Sequence, residues 1–225
     1  MRRKGILQEG LKLIACATML LDHIGAVFCS GMELRVAGRL AFPIYCFLLA
    51  EGMERTRNPW KYGLRLAAGA VLSEIPFDLL FFGEVTWAHQ SVMVTLLLGF
   101  LMLMGMKKVG SVWAKCLVAV PAAVAAELLG TDYGGFGIMA IALFAVTRER
   151  PDRLLIQTLG QLMLWWLMGS YSLNLGLIRV PIQMFAVLSM IPISLYSGRK
   201  ATSSRAVQWG FYLFYPLHLT VLLLL

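Results

Sequence analysis

Apolar runs of about 20 residues recur along this chain from one end to the other, and they constrain its fold more than any other feature. An α-helix needs a run of about that length to cross the hydrocarbon core of a bilayer. Nine runs can be drawn, at 10–29, 36–53, 62–83, 91–107, 112–130, 134–147, 154–170, 180–197 and 206–225. The sixth run is short and begins Gly-Gly-Phe-Gly, so a tilted or partial crossing fits it as well, and totals of eight or ten stay open.

The composition explains why these runs need lipid. Of the 225 residues, 59% are hydrophobic and only 14% are charged, whereas soluble domains average about 45–50% and about 25%. The mean hydropathy is +0.75. We therefore predict an all-α membrane protein, a polytopic bundle of about nine transmembrane helices that forms a single integral domain over residues 1–225.

Basic residues gather in alternate loops. Only Arg35 and Arg179 lie in the opposite loops, so the bias predicts a cytoplasmic N-terminus and, for an odd number of spans, an extracytoplasmic C-terminus in the cell membrane. The loops are short and lack interleaved aromatic residues, which argues against nucleic acid and favours lipid headgroups or a phosphorylated cytosolic ligand. The residues of this basic collar are Arg2, Arg3, Lys4, Arg55, Arg57, Lys61, Lys107, Lys108, Arg148, Arg150, Arg153, Arg199, Lys200 and Arg205.

The four cysteines lie in or beside apolar runs and form no Cys-x-x-Cys pair; they are Cys16, Cys29, Cys46 and Cys116. We interpret them as small buried hydrophobic residues. The sequence therefore predicts neither a metal site nor a disulfide framework.

Ionisable side chains also occur inside the apolar runs, where each is costly unless it faces a cavity or a partner. They are Asp22, His23, Arg39, Glu51, Arg65, Glu74, Asp78, Glu127 and His218. Most fall in the central or outer half of the membrane, so they could converge on one polar chamber. Glu74 and Asp78 are four residues apart and share a helix face, which makes Arg39 or a histidine a plausible neighbour.

Structural interpretations stand beside the functional ones. His218 fits a hydrogen bond between helices, and Arg39 fits a buried pair with Glu74 or Asp78. Three residues close to the cytoplasmic boundary could extend to the surface: Glu51, Arg55 and Arg65.

The adjacent pair Asp22-His23 is harder to explain structurally, because neighbouring helix residues project about 100° apart and each needs its own partner. Lys12 precedes His23 by 11 residues, or about three helical turns, so the two share one stripe roughly 16 Å long. This stripe runs from the cytoplasmic surface towards the membrane centre. In the last span, Pro216 removes a backbone hydrogen bond beside Tyr215 and predicts a kink that leaves the carbonyl of Tyr212 in need of a donor.

Several stretches, in order, resemble the successive signatures of the TraX family. They are Leu-Leu-Asp-His-Ile-Gly at 20–25, Arg-Val-Ala-Gly-Arg-Leu-Ala-Phe-Pro at 35–43, Glu-Gly at 51–52, Arg65, Ser-Glu-Ile-Pro-Phe-Asp at 73–78, Asp-Tyr-Gly at 132–134 and Phe-Tyr-Leu-Phe-Tyr-Pro-Leu-His at 211–218. The family is named for a conjugative-plasmid protein associated with N-terminal acetylation of pilin and is regarded as a relative of multispan membrane acyltransferases. The spacing from Lys12 to His23 also resembles the first span of acyltransferases that modify cell-surface sugars.

The resemblance implies an acetyltransferase that uses acetyl-CoA as co-substrate and an amine or hydroxyl of an envelope acceptor, such as a pilin N-terminus or a cell-surface glycan. His23 is then the general base. Asp22 would serve as its scaffold, and Glu74 or Asp78 would orient the ring. Arg39 or His218 would stabilise the oxyanion.

The remaining substrate-binding candidates are Lys12, Arg55, Arg57, Lys61 and Arg65, which could hold the coenzyme A phosphates, together with Glu51 and Tyr215. Direct transfer in a ternary complex is simpler than a covalent acetyl-histidine. The main alternative is a proton-coupled transporter or flippase whose Asp, Glu and His residues form a relay, although no inverted repeat or pair of broken helices is visible. A noncatalytic assembly factor for pili or envelope polymers is a third possibility.

Overall fold

The computed structural model describes residues 5–28, 31–169, 172–175, 178–201 and 204–225. Four residues of the predictions lie outside these ranges: Arg2, Arg3, Lys4 and Cys29.

The described part of the chain is mainly helical. Its α-helices are α1 (Gln8–Val27), α2 (Met32–Gly38), α3 (Ala41–Arg55), α4 (Pro59–Phe82), α5 (Val92–Met106), α6 (Val112–Leu128), α7 (Gly134–Thr147), α8 (Arg153–Met168), α9 (Met190–Ser194) and α10 (Arg205–Leu224). Only Arg39 and Leu40 separate α2 from α3, and the two form one helical stretch of 24 residues, Met32–Arg55. The predicted helical fold class is confirmed.

One region departs from the prediction of continuous spans. Strand β1 (Ser172–Leu175) pairs antiparallel with β2 (Ile178–Pro181), and a 3₁₀ helix (Ile182–Ser189) leads into α9. The expected α-helical span at 180–197 is therefore wrong. The 3₁₀ helix and α9 together cover only Ile182–Ser194 and follow β2 directly, so the helical part of this run is shorter than expected and mostly not α-helical.

Three helices are long and apolar enough to cross a membrane, within the ranges described: Gln8–Val27, Met32–Arg55 and Ala206–Leu224. Shorter apolar helices cover Val92–Met106, Gly134–Thr147 and Ile182–Ser194. These helices indicate membrane association. Nine crossings and a cytoplasmic N-terminus stay predictions.

Helix α4 shows the polarity of a lipid-facing helix. Its outer face exposes Val71, which is 74% accessible, together with Leu72 and Ile75. Its inner face buries Ser73 and Asp78. Leu66, Ala70 and Phe77 are buried on α4 as well, and the exposed apolar face suits an apolar medium.

The chain forms two compact units. The first contains Met1–Leu48 and Arg150–Phe211, and the second contains Leu49–Glu149 and Tyr212–Leu225. The assignment of residues 1–225 to a single domain stays a prediction.

In the first unit, the beginning of the chain is held by the segment that follows α9. The N–H of Ile6 donates to the carbonyl of Leu195 at 2.8 Å, and the N–H of Ser197 donates to the carbonyl of Ile6 at 2.9 Å. The start of α1 therefore lies beside the segment that leads to Arg199 and Lys200. This agrees with the sequence prediction that both segments occupy the same side of the membrane.

Helices α1 and α2 approach closely at Gly38. A Cβ atom built on Gly38 would overlap the side chain of Asp22 on α1. Only glycine leaves room for that carboxylate, so this crossing is a steric requirement of the first unit.

The second unit packs α4 on α5, and α5 on both α6 and α7. Phe100 of α5 and Ile138 and Ile141 of α7 are fully buried in it. Three tryptophans lie exposed at helix ends or in loops: Trp60 at the start of α4, Trp113 at the start of α6 and Trp87 after α4.

Gly38→Ala should destabilise the first unit, because the new methyl group would force Asp22 out of position. We expect a loss of about 1–3 kcal/mol, the usual cost of overpacking, seen as a lower unfolding temperature of the purified protein in detergent. Gly210→Ala is the matched control, since a Cβ at that helical position meets nothing within 4 Å. Equal stability of the two variants would contradict the close approach at Gly38.

Candidate functional site

An ion network in the first unit surrounds Asp22. The Nη2 atom of Arg39 donates to both carboxylate oxygens of Asp22. Nη1 of Arg35 lies 3.1 Å from one of these oxygens and donates to the Asp22 carbonyl at the same distance. The Asp22 and Arg39 side chains are only 13% and 12% exposed. Two guanidinium groups against one carboxylate leave one surplus positive charge.

Arg39 gains its position from the break between α2 and α3. Its backbone N–H still bonds the carbonyls of Arg35 and Val36, so it ends α2 while its side chain reaches α1. Its Nη1 donates to Oε1 of Gln183 on the 3₁₀ helix at 3.1 Å, and its Nε donates to the Arg35 carbonyl at 3.2 Å. This one side chain thus connects α1, α2 and the 3₁₀ helix.

His23 follows Asp22 on α1 and is half-buried. Helix α1 is continuous from Gln8 to Val27, so Lys12 and His23 lie on one stripe, as their spacing predicts. Cys16 lies on the same stripe, is buried and contacts the hydroxyl of Tyr45 at 3.2 Å. The ammonium group of Lys12 lies 4.9 Å from the centre of the Phe211 ring. This part of the stripe therefore faces protein.

Glu51, in the second unit, is buried between two arginines. Its carboxylate lies 2.7 Å from Arg55, four residues further along α3, and accepts a hydrogen bond from Nε of Arg148 at 2.8 Å. Both arginines belong to the predicted basic collar. This geometry gives Glu51 a structural explanation in addition to the predicted substrate-binding one.

The other collar candidates of the second unit differ in exposure. Arg57 and Lys61 are exposed. Arg65 is half-buried, and its guanidinium carbon lies 5.6 Å from the ring centres of both Tyr62 and Tyr212. Its buried Nε has no hydrogen-bond partner in the part of the chain that the structure describes.

Glu74 and Asp78 share one face of α4, as predicted, and each binds a neutral partner. Glu74 accepts a hydrogen bond from the Ser91 hydroxyl at 2.6 Å and from the Ser91 N–H at 3.1 Å. Asp78 is 2% exposed and accepts from the N–H of Thr86 at 3.0 Å. Its second oxygen is buried and has no hydrogen-bond partner among the described residues.

His218 and Tyr215 are both buried on α10. Nδ1 of His218 lies 2.8 Å from the carbonyl of Phe214, and its ring stacks on that of Phe214. Since a carbonyl oxygen only accepts, the neutral ring must carry its proton on Nδ1, and Nε2 then keeps its lone pair. Helix α10 runs without a break through Pro216, whose carbonyl accepts from the Thr220 hydroxyl at 2.8 Å.

Glu127 is an exposed carboxylate with a capping role. It accepts a hydrogen bond from the N–H of Gly135 at 2.7 Å, in the first turn of α7. A carboxylate at a helix N-terminus is stabilised by the unpaired N–H groups and by the helix dipole.

The structure brings some of the predicted residues together and distributes others. Lys12, Asp22, His23 and Arg39 belong to the first unit. The second unit holds Glu51, Arg55, Arg57, Lys61, Arg65, Glu74, Asp78, Tyr215 and His218. Arg39, considered above as a neighbour of Glu74 or Asp78, binds Asp22. One chamber that contains all of these residues stays a prediction.

Sequence reasoning missed four partners of these residues: Arg35, Gln183, Arg148 and Ser91. Arg35 was interpreted as a loop residue, although its spacing of four from Arg39 places both on one side of a helix. Gln183 interrupts an apolar run, which was a usable signal. Nothing in the local sequence connects Arg148 with Glu51, which precedes it by 97 residues.

Comparison with known proteins decides the family. The family model described as TraX protein matches residues 7–225. The chain belongs to the TraX family. It is also 30% identical over 239 residues to a probable fimbrial assembly protein, FimC of serogroup H1, from Dichelobacter nodosus, covering 94% of this chain and 92% of that protein. No solved structure matches the chain.

Asp22→Asn should lower the stability of this TraX-family protein, because it leaves two arginines without their carboxylate. Removing one partner of a buried pair costs roughly 3–5 kcal/mol, measured as thermal unfolding in detergent. Asp152→Asn is the control, since the pair of Asp152 with Arg150 is exposed and such pairs often contribute nothing measurable. Unchanged stability of Asp22→Asn would argue against a structural ion pair.

Proposed function

We propose that this TraX-family protein is a membrane-embedded acetyltransferase, which moves the acetyl group of cytosolic acetyl-CoA to an amine or hydroxyl of an envelope acceptor. The observation that carries the proposal is a half-buried histidine, His23, beside a carboxylate that two arginines hold in place. His23 lies on a helix long and apolar enough to cross a membrane. Histidine is the side chain whose ordinary pKa best suits proton transfer near neutral pH.

A single base is sufficient to move the proton in the proposed acetyl transfer. The acceptor nitrogen or oxygen attacks the acetyl carbonyl carbon and gives its proton to His23. The new carbon–nitrogen or carbon–oxygen bond forms as the carbon–sulfur bond breaks. His23 then returns the proton to the departing thiolate, which leaves as coenzyme A. No covalent acetyl-histidine is required.

The ion network suggests the roles of the neighbours of His23. The charge of Asp22 is already engaged by Arg35 and Arg39, which supports a scaffolding role for Asp22. The surplus positive charge would favour the oxyanion that develops on the acetyl oxygen, and electrostatic stabilisation of this kind is often the largest contribution to a rate. Arg39 is therefore the leading candidate for that task, whereas His218, whose ring proton is directed at the Phe214 carbonyl, is less suited to it.

The donor would enter from the cytoplasmic side. Lys12 lies on the stripe that leads to His23, and the basic collar offers phosphate partners in Arg55, Arg57, Lys61 and Arg65. Glu51 and Tyr215 complete the proposed substrate-binding set. A role of Glu74 or Asp78 in orienting the ring of His23 stays a prediction. We place the protein in the cell membrane as a multi-pass protein with a cytoplasmic N-terminus and an extracytoplasmic C-terminus.

The acceptor would be a pilin N-terminus or a cell-surface glycan. The relative from Dichelobacter nodosus is named as a probable fimbrial assembly protein, which supports a protein of the cell surface as the acceptor. Membrane lipids would surround the bundle, and no nucleic acid or metal takes part.

A proton-coupled transporter is the second candidate, and one observation favours it. Glu74 and Asp78 bind neutral partners, and one Asp78 oxygen is buried without a hydrogen bond to any described residue. Carboxylates in such positions occur in proton relays of membrane transporters. Proton uptake into liposomes, without release of coenzyme A from acetyl-CoA, would favour this function over acetyl transfer.

His23→Ala should reduce acetyl transfer by about 100-fold or more, the usual contribution of a general base. The measurement is release of coenzyme A from acetyl-CoA by purified protein supplied with amine and sugar acceptors. His89→Ala is the control, because His89 is exposed and stacks on Phe82 at a loop. Normal turnover in His23→Ala would exclude His23 as the base.

A further inference from the structure

On the glutamine and serine side chains of two elements in the first unit, four buried polar atoms form no hydrogen bond within the described residues. They are Nε2 and Oε1 of Gln161 on α8, and Nε2 of Gln183 and Oγ of Ser189 on the 3₁₀ helix. Gln161 and Ser189 are 0% exposed, and Gln183 is 1% exposed. These two elements pack directly on each other. We call these three residues the amide cluster.

This grouping of buried polar atoms requires an explanation. A buried donor or acceptor without a partner costs about 1–3 kcal/mol, and buried polar side chains are almost always satisfied in native proteins. A polar group bound between these two packed elements would satisfy all four atoms. Helix α8 presents further polar groups along the same face, because Gln157 and Trp165 lie four residues before and after Gln161 and are also buried.

The chemistry of the cluster is neutral and has a fixed orientation. Oε1 of Gln183 accepts from Arg39, so its Nε2 remains as a donor that points away from that bond. Gln161 offers both a donor and an acceptor, and Ser189 offers a hydroxyl. A secondary amide, which has one carbonyl acceptor and one N–H donor, matches a glutamine side chain bond for bond. All three side chains of the amide cluster are neutral, which favours a neutral polar group over a phosphate here.

The position of the amide cluster along the helix axes suits the extended arm of an acyl donor. Gln161 lies eight residues from the start of α8, about 12 Å along its axis, and His23 lies 15 residues from the start of α1, about 22 Å along its axis. Both starts belong to the side predicted to be cytoplasmic. The cluster therefore lies at a depth between the cytoplasmic surface and the proposed base, where an extended substrate must pass.

We infer that the amide cluster binds the pantetheine arm of acetyl-CoA, with Gln161 and Gln183 hydrogen-bonded to its two amides. This inference rests on the proposed function, which supplies acetyl-CoA as the acyl donor, but binding measurements alone can test the site. The phosphates would remain at the basic collar, and the thioester would continue towards His23.

The test compares Gln161→Met with wild-type protein in detergent. Methionine keeps the volume and removes the amide, so the variant should be at least as stable as wild type. Its affinity for free pantetheine, measured by calorimetry, should fall about tenfold. The KM for acetyl-CoA and for S-acetyl-pantetheine should rise about tenfold while kcat stays within about twofold, because one hydrogen bond to bound substrate is lost. The KM for S-ethyl thioacetate, which has no amide, should not change.

Two further variants keep the test decisive. Ser189→Ala removes only a hydroxyl and should raise the KM for S-acetyl-pantetheine two- to fivefold. Thr158→Val is the matched control, since Thr158 is half-buried on α8 and its hydroxyl donates to the Leu154 carbonyl at 2.7 Å.

Unchanged pantetheine affinity in Gln161→Met and Ser189→Ala would overturn the inference. A rise in the KM for the acceptor alone in these variants would also overturn it, because the cluster would then bind the acceptor. Wild-type protein that binds pantetheine through Gln161 but never releases coenzyme A from acetyl-CoA would refute the proposed function and leave the binding site standing.

Discussion

The arrangement of the first unit depends on the pairing of Asp22 with Arg39 and Arg35. A carboxylate in an apolar medium is costly unless a cation and hydrogen bonds satisfy it. Arg39 does so across three elements, because its guanidinium donates to α1, α2 and the 3₁₀ helix together. Gly38 then has to be small, since the same carboxylate occupies the space that a side chain would need. The location of His23 follows from this crossing.

Not every charge in an apolar run serves chemistry directly. Glu127 caps α7, and Glu51 lies between Arg55 and Arg148. Both carboxylates therefore have partners that explain their presence in structural terms. Glu74 and Asp78 differ from them, because their partners are neutral and, in the part of the chain that the structure describes, one buried oxygen of Asp78 has no hydrogen bond. This contrast distinguishes carboxylates that support the fold from those that remain candidates for proton chemistry.

Sequence reasoning predicted the helical class and the polar residues of the spans, because hydropathy and helical spacing are local properties. It failed at 180–197, where the chain forms a hairpin strand and a 3₁₀ helix before the short helix α9. It also missed the contact of Gln183 with Arg39, which lies 144 residues away in the chain. The partner of a buried polar group is chosen by tertiary packing, which one sequence without relatives does not encode in any local pattern.

The exposed tryptophans of the second unit have a consequence for its height in the bilayer. Trp60 and Trp113 lie at the starts of α4 and α6, which both pack on the intervening helix α5. Indole rings prefer the headgroup region, where the ring is half solvated and its N–H finds an acceptor. Trp87 occupies the loop at the far end of α4. In the predicted crossing of α4, rings at both ends would oppose vertical displacement, and a thinner or thicker bilayer would be accommodated by helix tilt or by local lipid deformation.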